Sequence, residues 1–124
     1  MIHNDLAGRV IGAAIEVHRE LGPGLLESAY EACLAHELAA RAVPFRRQVD
    51  LPVLYKGHRV DAGFRIDLLV ENQLVIEFKA VETLLPIHTA QLITYLKLTR
   101  IRIGLILNFN CQVMRDGIKR VVCD

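Results

Sequence analysis

Apolar residues recur at three- and four-residue intervals over the first third of the chain and in strand-like runs afterwards, so helices should precede a sheet. Leu6, Val10, Ala13, Ala14, Val17 and Leu21 form one amphipathic stripe. Asn4 or Asp5 is placed to cap its start. Gly22, Pro23 and Gly24 end it, because proline cannot continue the hydrogen-bond ladder and glycine permits a left-handed exit. A second stripe, Leu26, Ala29, Tyr30, Cys33, Leu34 and Leu38, predicts a helix ending near Ala42, ahead of Pro44. From Phe45 the period changes. Residues 48–55, 59–70 and 74–80 are rich in Val, Leu, Ile and Phe, with turn signals at Lys56-Gly57 and at Glu71, Asn72 and Gln73, and predict a three-stranded meander. Pro86 suits the first position of a third helix that passes Gln91 and Tyr95 and ends about Thr99. Residues 103–108 and 112–122 predict two more strands. The order ααβββαββ implies a mixed sheet faced by helices, an α/β (α+β) fold.

The stretch RIDLLVENQLVIEFK, residues 65–79, carries the candidate chemistry. Successive strand residues face opposite sides, and a one-residue slip would invert every side chain, so matching apolar faces selects the hairpin register. Pairing Val70 with Leu74 also pairs Leu68 with Ile76 and Ile66 with Phe78. It sets Asp67 opposite Glu77 and Arg65 opposite Lys79, across a three-residue loop in which Asn72 or Gln73, Asn72 more easily, turns left-handed. Two carboxylates about 5 Å apart repel unless something positive lies between them. Two readings follow. Charges alternating on a strand are ordinarily its solvent face, and Arg65, Asp67, Glu77 and Lys79 would then form surface ion pairs worth little. Alternatively a hard divalent cation, Mg²⁺ or Mn²⁺, satisfies the pair, and with an adjacent lysine it is equipment for polarising a phosphodiester and activating water.

Composition narrows the class. At 124 residues the chain has the size of one domain, 1–124, able to bury roughly two-thirds of its unfolded surface. With 52% apolar and 23% charged residues the composition is globular. Fifteen basic residues against fourteen acidic ones give a net charge of +1, which excludes nucleic-acid binding driven by bulk charge but leaves room for a local patch. No apolar run approaches the roughly 20 residues that span a bilayer, and the opening MIHNDLAGRV lacks a signal-peptide pattern. Three cysteines without CxxC spacing suggest neither a disulfide framework nor a zinc site. The expected setting is cytoplasmic and reducing.

Asp67 followed by Glu77-Phe78-Lys79 on the next strand resembles the signature of the PD-(D/E)XK nuclease superfamily. Gly24, Glu27 and Tyr30 match the motif of its GxxExxY family, and QLITYLK at 91–97 and GLILNF at 104–109 extend the resemblance over nearly the whole chain. Ile66 replaces the proline of the superfamily's motif, and Asn110 stands where a glycine is expected. The resemblance implies a restriction-endonuclease-like αβββαβ core. It implies that Asp67 and Glu77 bind Mg²⁺ or Mn²⁺ and that Lys79 positions or activates the attacking water. It also implies that Glu27 is an auxiliary metal or water ligand and that Gln91 lines the site.

The expected activity is metal-dependent hydrolysis of nucleic acid, DNA or RNA. The alternative is a non-catalytic module that keeps the nuclease fold and binds nucleic acid or protein, since fold alone does not fix function. With no separate recognition domain, stringent sequence reading would require oligomerisation, a homodimer in the simplest case. The remaining residues have ordinary readings beside functional ones. Glu27 also suits the dipole at a helix start, Tyr30 suits the core with its hydroxyl bonded, Glu27 being one candidate partner, and packing explains Gln91 and Tyr95 as well as substrate contact does. Most of His3, His18, His36, His58 and His88 are expected at the surface, and Cys33 in the core. Arg46, Arg47, Lys56, Arg59, Arg100 and Arg102 form either a phosphate-holding rim or scattered solvated charge.

Overall fold

The computed structural model describes residues 4–123. Helix α1 (Asn4–Leu21) buries Leu6, Val10, Ala13, Ala14 and Val17 of the stripe read from the sequence, whereas its last member, Leu21, is exposed at the helix end. Asp5 stands in its first turn rather than at the cap, and the preceding position, His3, lies outside the described residues. The helix ends where Gly22, at φ +67°, donates its N–H to the His18 carbonyl at 2.7 Å. Helix α2 (Glu27–Ala40) buries Tyr30, Leu34, Ala35 and Leu38.

The strands are β1 (Phe45–Asp50), β2 (Val53–Tyr55), β3 (His58–Val60), β4 (Arg65–Val70), β5 (Leu74–Lys79), β6 (Ile103–Asn108) and β7 (Ile118–Val122), with α3 (Pro86–Thr99) between β5 and β6. Five form one sheet in the order β1-β4-β5-β6-β7, antiparallel except for the parallel pair β5–β6. The expected meander exists as β1-β4-β5, but β1 starts at Phe45 and an extra hairpin, β2–β3, interrupts it. The predicted runs 48–55 and 59–70 break because Pro52 has no amide to donate and Gly63 sits at φ +78°. Lys56 and Gly57 both adopt positive φ, +48° and +81°, the two-residue turn whose twist suits a hairpin. The last strand is shorter than residues 112–122, since Met114–Gly117 form a 3-10 turn.

Alternation sorts the sheet's side chains into two cores. Leu68, Val70, Leu74, Ile76 and Phe78 pack with α1 and α2, while Leu69, Val75 and Ile106 pack with Leu92, Tyr95 and Leu96 of α3. No helix among the described residues is long and apolar enough to cross a membrane. Two glycines mark close approaches of unequal stiffness. A Cβ on Gly117 would overlap the Asn108 carbonyl oxygen, whereas one on Gly104 would lie 2.9 Å from the mobile Leu92 Cδ1. Gly117→Ala is therefore expected to destabilise by about 2–3 kcal/mol, and Gly104→Ala by less. Urea unfolding measures both, and a Gly117→Ala variant as stable as wild type contradicts this packing.

Candidate active site

The β4–β5 ladder begins in the expected register, Val70 with Leu74, Leu69 with Val75 and Leu68 with Ile76, and Glu71 and Asn72 both turn at positive φ. It then opens. None of the remaining expected pairs, Asp67–Glu77, Ile66–Phe78 and Arg65–Lys79, continues the ladder. Ile66 packs into the α3-side core while Phe78 packs into the other, and Arg65 pairs with Asp50 at 3.3 Å. Where the strands part, two carboxylates take over the amides. Asp67 N–H donates to Glu77 Oε1 at 3.3 Å, and Phe78 N–H donates to Asp67 Oδ2 at 2.9 Å. The opening is thus held by the pair that the register argument set opposite each other. It contradicts a plain solvent face, because Glu77 is only 7% exposed.

Desolvation governs the electrostatics. Burial, and next the charge of Asp67, push the Glu77 carboxyl up to about 8. Burial also raises Asp67, opposed by the Phe78 amide and reinforced by the charge of Glu31. The Lys79 charge acts on both carboxyls in the opposite sense, and alternation along β5 puts Lys79 on the same face as Glu77, two residues on, without an ion pair to either carboxylate among the described residues.

Sequence reasoning missed Glu31 and Gln48. Glu31 is 6% exposed on α2 and accepts from Arg47 Nε at 3.1 Å and Gln48 Nε2 at 2.7 Å. The same Gln48 amide reaches Asp67 Oδ1 at 3.5 Å, from a residue held at φ +51°. Glu31 lies four residues after Glu27, among the buried positions of α2, and a carboxylate there is the signal that marks it. Gln48 becomes visible only through the β1–β4 register, which flanks it with Arg47–Leu68 and Val49–Ile66.

The other expected residues sit at the margin. Glu27 opens α2, is exposed, and accepts the Ala80 N–H at 3.2 Å, next to Lys79 in the chain. It does not complete a ligand cluster with Asp67 and Glu77: among the described residues no three His, Cys, Asp or Glu side chains are arranged to hold a metal. Gln91 Nε2 donates to the Tyr95 hydroxyl at 2.9 Å, and the Tyr95 phenol is raised by burial and then by the charge of Glu77. Gln91 is thus bonded within α3, to the residue one turn on. Tyr30 bonds not to Glu27 but to the loop before it, donating to the Gly22 carbonyl at 2.6 Å and accepting the Leu25 N–H at 3.1 Å. It therefore fixes the loop that launches α2.

The basic rim does not assemble. Arg46 bonds Asn72, Arg59 bonds Asp61, and Arg100 and Arg102 flank the start of β6, at the sheet end away from Glu77. Arg47 is bonded to a site residue, Glu31. His18 is buried, with Nε2 2.8 Å from the Cys111 carbonyl oxygen, while His36 and His58 are exposed.

The donor set suits a hard divalent cation. It is all oxygen, Asp67 Oδ1 and Glu77 Oε2 stay outside the reciprocal amide bonds, and neither carboxylate has an ion-pair partner among the described residues. Mg²⁺ is commonly held by only one or two carboxylates, with water and substrate phosphate completing its shell.

This combination, a mixed sheet between helices with an opened hairpin presenting Asp, Glu and Lys, defines a nuclease-like fold. The sequence profile of the PD-(D/E)XK nuclease superfamily matches residues 4–121, and the chain belongs to that superfamily. Nucleases of this superfamily generally use divalent metals. No curated protein and no solved structure matches the chain significantly.

Proposed function

We propose that this single domain is a divalent-metal-dependent nuclease that hydrolyses phosphodiester bonds of DNA or RNA. The observation that carries the reading is the opened β4–β5 ladder, where Asp67 and Glu77 meet, with Lys79 two residues beyond Glu77 on the same face of β5. Asp67 and Glu77 would hold Mg²⁺ or Mn²⁺, which when bound supplies polarisation of the phosphate and a more acidic water. Lys79 orients the attacking water and offsets negative charge that develops on the phosphate. Glu27 anchors the Ala80 amide and so steadies the strand end that carries Lys79. Gln48 spans Glu31 and Asp67 and fixes the orientation of the Asp67 carboxylate. Gln91, through the Tyr95 hydroxyl, lines the side toward Glu77.

The test is cleavage of mixed DNA and RNA with Mg²⁺ or Mn²⁺, against EDTA and an Asp67→Asn preparation. Cutting that requires the cation and disappears in Asp67→Asn is the expected result. Binding that survives chelation, with no cutting under either ion, would instead favour the non-catalytic module.

A further inference from the structure

We propose that the β2–β3 hairpin is the docking surface for an unpaired polynucleotide strand entering the carboxylate site, an inference that rests on the nuclease reading above. The hairpin has no core to serve. Its side chains from Leu54 to Val60 are all exposed, with Leu54 at 65% and Tyr55 at 62%. A two-stranded hairpin gains little stability by itself, so stability does not account for large apolar side chains placed in solvent on this element.

Its composition is one-sided. Residues 54–60 hold Tyr55, Lys56, His58 and Arg59; Arg59 is paired with Asp61 at 3.1 Å, which leaves Lys56 as the cation at the tip with no ion-pair partner among the described residues. Lys56 Nζ lies 5.4 Å from the Tyr55 ring centre, which puts a cation and an exposed ring at the tip together. Exposed rings stack on bases of any sequence, and neighbouring cations follow the phosphate backbone.

Its position is set by the chain. The hairpin leaves β1 after Asp50, two residues beyond Gln48, and re-enters the sheet at Arg65, two residues before Asp67. It therefore stands at the sheet end where Glu77 and Lys79 terminate β5. Phe64, at its base, is exposed and has its ring 6.3 Å from that of Tyr95, the residue bonded to Gln91. A recess of about 360 Å³ adjoins the hairpin base, lined by Leu51, Pro52 and Phe64 and by the ion pairs Arg59–Asp61 and Arg65–Asp50, so its charges are balanced and the phosphate-directed cation is Lys56 at the tip. Tyr55 at the hairpin tip and Phe64 at its base thus offer two exposed rings on the segment that joins Gln48 to Asp67. Bases in a duplex are already stacked, so the surface suits an unpaired strand. Neither stacking nor phosphate contact reads the sugar, so DNA and RNA strands fit alike.

Fluorescence anisotropy in EDTA, where no strand is cut, tests this with labelled oligo-dT, oligo-U and a duplex, each of about 12 nucleotides. The two single strands should bind alike and about tenfold tighter than the duplex. Tyr55→Ala should weaken single-strand binding about tenfold, with Tyr55→Phe restoring it. Lys56→Gln should reduce the salt slope by about 0.7. Tyr55→Ala and Lys56→Gln variants that bind as wild type, equal affinity for the duplex, or no binding at all would overturn the proposal, the last leaving the hairpin to a protein partner. Cation-dependent cutting with unchanged affinity in Tyr55→Ala defeats the docking surface and spares the nuclease reading. Single-strand binding through Tyr55 without cutting under either ion supports the surface and defeats that reading.

Discussion

Lys79→Ala is expected to lower the turnover of nucleic-acid cleavage by about 10²- to 10⁴-fold, the usual contribution of a group acting on the reacting water and the developing charge. Substrate affinity should change little, because the ammonium is needed most where negative charge builds up in the transition state. Cation affinity should not fall, since the variant removes a positive charge next to Asp67 and Glu77. Lys79 also pulls both carboxyls down. Without it they ionise at higher pH, so the residual activity should rise toward alkaline pH more steeply than in wild type. Single-turnover cleavage of a labelled oligonucleotide over a pH series separates these effects. Equal cutting by wild type and Lys79→Ala would assign the activity to a contaminant.

The apo protein should lose stability as pH rises from about 4.5 to 8. Glu77 has an ordinary carboxyl value of 4.5 when unfolded and is pushed up to about 8 when folded, by burial and then by Asp67. Between those values the folded state binds the proton that the unfolded state has released, so stability is fully present below 4.5 and falls as pH climbs through 8. The loss is on the order of a few kcal/mol, shared with Asp67 because the two carboxyls titrate together. Glu77→Gln should flatten the profile and make the apo domain more stable than wild type at pH 8. A cation reverses the logic, because it needs the ionised carboxylate. Its binding should release close to one proton at pH 7, and affinity should tighten about tenfold per pH unit below 8. Calorimetric titrations in buffers of different ionisation enthalpy count that proton. Stability that rises with pH in the apo protein would contradict the burial of Glu77.

The parts of the fold that rest on local pattern were legible from the chain. The α1 stripe, the Asn72 turn and the register of Leu68, Leu69 and Val70 against β5 follow from periodicity and turn chemistry, and the structure keeps them. The meeting of Asp67 with Glu77 followed from the same register. What pattern does not encode is where a ladder stops. Ile66 looks like the next apolar partner of Phe78, yet Asp67 takes the Phe78 amide for its own carboxylate and turns Ile66 to the other core. Gln48 and Glu31 were hidden for a related reason. Their roles depend on β1 beginning at Phe45 and pairing with β4 rather than with its sequence neighbour β2, a long-range choice that alternation within 48–55 cannot show. Tyr30 was equally hidden: its hydroxyl holds the Gly22 loop, a backbone contact with no sequence period at all.

Thermal melting of wild type, Asp67→Asn, Glu77→Gln and a control at exposed Glu20 of α1, in EDTA, Mg²⁺, Mn²⁺ and NaCl of matched ionic strength, tests the central claim most directly. A cation bound only to the folded state stabilises by RT ln(1 + [L]/Kd), about 1.4 kcal/mol at ten times Kd. For a domain of this size that is a rise of about 4–7 °C. Wild type and Glu20→Gln should show the rise with Mg²⁺ or Mn²⁺, and Asp67→Asn and Glu77→Gln should lose most of it. A small shift, equal in all four proteins and reproduced by NaCl, is what charge screening alone produces. That result would contradict a cation site at Asp67 and Glu77.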